Sequence, residues 1–140
     1  MSDTYRDLKA WQSAMALALG VYRATASFPK NEAYGLVSQM RRAAVSVPSN
    51  IAEGKGRFSQ RELLQFLYRA RGSLLELETQ ITIASELDYF DKADAQTLAA
   101  LISETARLLH GLIKAFQSMC NSKDHPAPAE TAAGHPSPGT

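Results

Sequence analysis

Seven apolar residues spaced alternately four and three apart, Leu63, Leu67, Ala70, Leu74, Leu77, Ile81 and Ala84, restrict what this chain can fold into. At about 3.6 residues per turn they form one stripe along a single helix. Such a helix cannot stand alone in water, because partner helices must cover the stripe. Three other segments repeat the rhythm. Leu8, Trp11, Met15, Ala18 or Leu19 and Tyr22 mark a first helix over 7–27, stopped by Pro29. Val37, Met40, Ala44, Val47 and Ile51 mark a second helix. Leu98, Leu101 or Ile102, Thr105, Leu108, Leu109, Leu112 and Phe116 mark a fourth. Short joints between them favour antiparallel neighbours. The fold class is all-α, a four-helix bundle over residues 1–120, followed by a disordered Pro/Ala-rich tail over 121–140 where no stripe survives.

Local signals sharpen the outline. Pro48 inside the second helix removes a hydrogen bond and crowds the carbonyl of Ala44, a cost of about 3 kcal/mol. The stripe keeps its phase from Val47 to Ile51, so the sequence predicts a kinked second helix rather than its end. Ser46 and Ser49 are placed to help satisfy the freed carbonyls. Gly54 suits the left-handed position after a helix, Ser59 and Glu62 form a capping box, and Asp91 can cap the fourth helix. Gly72 lies mid-helix, where glycine loses about 1 kcal/mol relative to alanine. Close approach of a neighbouring helix is the expected reason.

Helix three carries more than its core stripe needs. Leu64, Tyr68, Arg71, Leu75 and Thr82 form a second stripe beside it, which reads as either a wide core face or a contact with another subunit; with Glu78 near Arg71 in phase, Leu64, Tyr68, Arg71, Leu75 and Glu78 are the residues expected at a subunit interface. Charge is equally uneven. Residues 41–71 hold seven arginines and lysines against two glutamates, whereas 72–104 hold seven acids against one lysine, although the whole chain nets only +1. Clustered arginine neutralises phosphate. The two segments also have the charges to solvate a surface or to meet across a subunit boundary.

Enzyme chemistry does not assemble. Di-iron bundle proteins need Glu-x-x-His on two helices, but three residues before His110 stands Arg107. Lys55 follows Gly54, yet the phosphate-loop spacing fails, with Ser49 and Gly56 at its other fixed positions. Cys120, the single cysteine, permits no intrachain disulfide and reads as an apolar filler. The expectations are no catalytic residues, no metal and no cofactor. With no apolar run near the roughly 20 residues that span a bilayer and a polar start, a cytoplasmic protein without membrane contact is expected.

Several ordered motifs carry a family likeness: Asp7-Leu8-Lys9-Ala10-Trp11-Gln12, Phe28-Pro29, Glu32-Ala33-Tyr34-Gly35-Leu36, Gln39-Met40-Arg41-Arg42-Ala43-Ala44, Ser46-Val47-Pro48-Ser49-Asn50-Ile51-Ala52-Glu53-Gly54-Lys55-Gly56-Arg57, Gly72-Ser73 and Glu76-Leu77-Glu78-Thr79-Gln80. Over about residues 5–118 the chain resembles the bacterial four-helix-bundle proteins encoded in intervening sequences of 23S rRNA genes. The resemblance implies an up-down-up-down bundle assembling as a ring, a homopentamer. It also implies kinship with accessory proteins of diversity-generating retroelements, basic pentamers thought to bind nucleic acid and assist a reverse transcriptase. The partners so implied are copies of itself, RNA or DNA, and a reverse transcriptase or other protein.

Two functional classes stand side by side. One is a nucleic-acid-binding accessory protein that contacts phosphate through Arg42, Lys55, Arg57 and Arg61. Arg42 and Arg61 point away from their core stripes, and Lys55 and Arg57 lie in the glycine loop between those helices. The other is a ring-shaped scaffold for protein partners, with charge serving assembly only and the loop simply solvated.

Overall fold

Burial follows the four-three rhythm along all four helices, and only on the first does it run out of register with the sequence reading. The computed structural model describes residues 4–124. Four α-helices, α1 (Lys9–Thr25), α2 (Leu36–Lys55), α3 (Gln60–Glu86) and α4 (Lys92–Asp124), follow one another, with short 3-10 turns at Tyr5–Asp7 and Lys30–Glu32. Each helix packs on two others: α1 on α2 and α4, α3 on α2 and α4. The pairs α1–α3 and α2–α4 are therefore the diagonals of a square, the arrangement of an up-down-up-down bundle. α4 runs to Asp124, about one turn past the expected boundary at 120. The rest of the expected tail, 125–140, lies outside the described residues.

All seven stripe residues of α3 and all five of α2 are buried. On α4 the buried positions are Leu98, Ile102, Thr105, Leu109 and Ile113, flanked by partly buried Leu101, Leu108, Leu112 and Phe116. α1 corrects the sequence reading. Its core face is Ala10, Ala14, Leu17, Ala18, Val21 and Ala24, about one position out of register with the predicted stripe. Small side chains there let α1 come close to its neighbours. Its largest side chains, Trp11, Met15, Leu19 and Tyr22, line an open groove instead.

α2 continues through Pro48 rather than ending there, as the sequence predicted, but three local expectations change. Ser46 does not turn back to serve the freed carbonyl; its hydroxyl pairs with that of Ser73 on α3 at 2.8 Å, while Asn50 Nδ2 donates to the Ser46 carbonyl at 2.9 Å. Gly54 is not left-handed but lies inside α2, whose C-cap is Gly56 at φ −84°. What Gly54 supplies is the close approach assigned to Gly72: a Cβ there would sit 2.8 Å from Phe66 Cβ and 3.2 Å from the Leu63 carbonyl oxygen, whereas at Gly72 it would meet nothing within 4 Å.

Among the described residues the left-handed one is Asp88, φ 61°, just after α3. Tyr89 N donates to Ala84 O at 2.9 Å and Asp88 N to Ser85 O at 3.0 Å, the bond pair that closes a helix end. At this end of the bundle Phe28 packs on Phe90 and Tyr89, with ring centroids 4.9 and 5.2 Å away. Tyr89 OH donates to Glu32 Oε2 at 2.9 Å, and Glu32 Oε1 accepts from Leu36 N at 3.3 Å, tying the two connections at this end together. Asp91 caps α4 as expected, its Oδ1 accepting from Asp94 N at 2.8 Å.

Candidate nucleic-acid interface

The opposite end of the bundle is built differently. α2 and α3 are joined by only four residues, Gly56 to Ser59, and Ser59 Oγ caps α3 by accepting from Arg61 N and Glu62 N at 3.1 and 3.3 Å. Because Gly54 has no side chain, Phe66 lies against the α2 backbone. Its half-buried ring takes two guanidinium groups, those of Arg57 and Arg69, each 4.6 Å from the centroid. Cation–π contact of this kind holds a charge in place without neutralising it. Arg57 also pairs with Glu53 at 3.3 Å, but both side chains are largely exposed, and such pairs contribute little.

Lys55, Arg57 and Arg61 share this end of the molecule. Arg42 does not join them. Thirteen residues before Lys55 on the same helix, it stands about 20 Å away along the axis, in a groove between α2 and α3 with Gln39, Ser46, Ser73 and Glu76, its guanidinium on Ser38 Oγ at 3.1 Å. The place given to Arg42 in the sequence reading belongs to Arg69, which lies three residues from Phe66, within reach on one helix face. Half-buried Arg41 is tied to α1 instead: it bonds Thr25 Oγ1 at 3.0 Å and Tyr22 O at 3.2 Å, pinning the end of that helix.

The five residues expected at a subunit interface divide. α4 of the same chain covers Leu64, which is buried, and Tyr68, whose hydroxyl accepts from Gln117 Nε2 at 2.9 Å. Arg71, Leu75 and Glu78 stay exposed around a groove of about 240 Å³ between α3 and α4, completed by Leu74, Ala106 and His110, and Leu75 is 58% exposed. The α1 groove is larger, about 400 Å³, and draws Val45, Pro48 and Ala52 from α2 beside Trp11, Leu19 and Tyr22. In the square order of the helices, the α1/α2 side lies directly opposite the α3/α4 side. Leu19, Tyr22 and Val45 on one side, and Leu75 on the other, are the apolar residues left open to solvent there.

Among the described residues no three His, Cys, Asp or Glu side chains gather as a metal site, and no helix is long and apolar enough to cross a membrane. Cys120 packs half-buried against the core. Such a molecule is a helical bundle that displays charge at its ends and apolar grooves on its sides. It belongs to the family of the 23S rRNA-intervening sequence proteins, whose family model matches residues 6–111. No curated protein matches the chain.

Proposed function

We propose that the protein is a non-enzymatic ring of identical subunits, five as the family resemblance implies, whose basic ends bind nucleic acid. The observation that carries the ring is the pair of apolar grooves on opposite sides of the bundle. A patch that meets a different patch on the next copy makes a heterologous contact, and such contacts form a ring when the rotation from copy to copy closes. All copies in that ring point their α2–α3 ends the same way. Each repeats Lys55, Arg57, Arg61 and Arg69, so weak phosphate contacts add through avidity. Binding of this kind is indifferent to sequence and falls steeply with salt, because released counterions drive it.

Native mass spectrometry at micromolar concentration tests the ring. Leu19→Glu/Val45→Glu and Leu75→Glu should each give monomers, and mixing the two should give a one-to-one heterodimer through the single intact contact. A wild type found only as monomer refutes the assembly. Fluorescence anisotropy on RNA and DNA duplexes tests the basic end against Lys55→Ala/Arg57→Ala/Arg61→Ala/Arg69→Ala. No binding at low salt, or equal affinity and salt slope for both proteins, removes the nucleic-acid reading and leaves a ring-shaped protein scaffold.

A further inference from the structure

Phe58 stands at the apex of the four-residue connection between α2 and α3, and its relative exposure of 107% means that nothing covers the ring. A lone exposed phenyl is ordinary on a protein surface. Its setting here is not. Backbone bonds fix the chain on both sides: Gly56 N and Arg57 N close the end of α2 on Glu53 O and Gly54 O at 3.2 and 3.0 Å, and Ser59 caps α3. The phenyl therefore projects from a short, anchored turn. Arg57 precedes it in the chain, Arg61 follows three residues later, and Arg57 and Arg69 are held on the neighbouring Phe66 ring. Among the aromatics at the other end, Phe28, Tyr89 and Phe90 are packed against one another, and Tyr34, as open at 99%, has Lys30 and Glu32 as its charged neighbours in the chain rather than a group of arginines.

We infer that Phe58 is a stacking platform for unpaired bases, so that the ligand of the basic end is single-stranded or looped nucleic acid rather than continuous duplex. This rests on the nucleic-acid reading above and narrows it. A bare aromatic face accepts any base, and cations beside it take the adjoining phosphates, the combination by which single strands are held without sequence preference. In a closed duplex the bases are already stacked and paired, which leaves the phenyl without a partner while the arginines still meet phosphate. A lipid surface is a poorer match, since one phenyl per subunit on a tight turn offers little of the apolar area that interfacial binding requires. The loop also lies off both apolar grooves, so ring closure leaves it open.

The test uses the full chain and anisotropy with two probes, an oligouridine strand and a dumbbell duplex whose capped ends offer no terminal base. Phe58→Ala should lose about fivefold to a hundredfold in affinity for the strand, Phe58→Trp should restore it, and the duplex affinity and salt slope should not move. Unfolding curves and native mass spectra of the variants should match wild type, because the side chain touches nothing in the subunit. Equal strand affinity for Phe58→Ala and wild type overturns the stacking role while leaving phosphate binding intact. Equal losses on strand and duplex overturn the preference for unpaired bases, and a changed subunit count shows Phe58 to be an intersubunit contact instead. Failure of wild type to bind either probe overturns both readings together.

Discussion

Gly54→Ala and Gly72→Ala are the same chemical change in the interiors of two helices, and the structure gives them different outcomes. A helix interior favours alanine over glycine by about 1 kcal/mol. At Gly72 the added methyl meets nothing within 4 Å, so the full gain should appear as a rise in melting temperature of about 3–5 °C. At Gly54 the methyl would lie 2.8 Å from Phe66 Cβ, 3.1 Å from Leu63 Cδ1 and 3.2 Å from the Leu63 carbonyl oxygen. The first and last of these atoms move only with the α3 backbone. Relief needs α2 and α3 to part by about half an ångström, and overpacking of this kind costs about 1–3 kcal/mol. Set against the propensity gain, Gly54→Ala should range from neutral to about 2 kcal/mol less stable than wild type, and about 1–3 kcal/mol below Gly72→Ala. Thermal and urea unfolding followed by circular dichroism, at one fixed protein concentration because assembly couples to stability, measures the separation. A Gly54→Ala protein melting as high as Gly72→Ala would refute the close approach of the two helices. A Gly72→Ala protein melting below wild type would show that its side of α3 is not open in the assembled protein.

Two smaller effects follow at the opposite end of the bundle. Asp88 holds a left-handed backbone that costs an L-residue roughly 1–2 kcal/mol, so Asp88→Gly should raise stability by up to about 1 kcal/mol after glycine's greater unfolded freedom is subtracted; an unchanged or lower melting temperature would count against the strained cap. The hydrogen bond from Tyr89 to Glu32, with burial and the carboxylate's negative charge, raises the tyrosine pKa above its ordinary value. The unfolded tyrosine then ionises first, so stability from this contact is complete below about pH 10 and lost as pH rises through the folded pKa. Difference absorbance titration of wild type against Tyr89→Phe isolates this residue, and Glu32→Gln should bring its ionisation back toward the ordinary range; a Tyr89 that ionises no later than a free tyrosine defeats the reasoning.

The helices were legible because burial on α2, α3 and α4 follows hydropathy at helical period. α1 was not, for a physical reason. It carries two apolar stripes about one position apart, one of alanines with Leu17 and Val21, the other of Trp11, Met15, Leu19 and Tyr22. Hydropathy favours the larger side chains, while close packing selects the smaller ones. Gly54 had two meanings near a helix end, a left-handed cap or a gap for a neighbour, and only the position of Phe66 separates them. At the candidate site, Arg42 could have been set apart from Lys55 by helical rise alone. The pairing of Arg57 and Arg69 on one phenyl ring depends on α2 and α3 meeting at Gly54, which no single-helix pattern contains. Phe58 drew no notice because a phenylalanine in sequence says nothing of its own exposure.

Charge along the bundle axis gives a test that distinguishes two ways of assembling it. Lys55, Arg57, Arg61 and Arg69 gather toward the α2–α3 end, while Glu86, Asp88, Asp91 and Asp94 gather at the other, where α3 turns into α4. In a ring closed side to side, every copy points the same way, so basic ends lie beside basic ends. Helices pack about 8–10 Å apart, which sets neighbouring bundle axes roughly 20 Å from one another. That distance exceeds the Debye length of about 8 Å at physiological salt but falls within the 30 Å or so at 0.01 M. Lowering the salt should therefore loosen the ring, with like ends repelling while the apolar grooves still hold. Nucleic-acid affinity should move the opposite way, tightening as salt falls. Sedimentation velocity of the unliganded protein across that range measures the first slope and anisotropy the second. If subunits instead met with the basic segment of one against the acidic segment of the next, lower salt would tighten the assembly as well as the binding. Two slopes of the same sign would thus discard the side-to-side ring and put charge, rather than the paired grooves, at the subunit boundary.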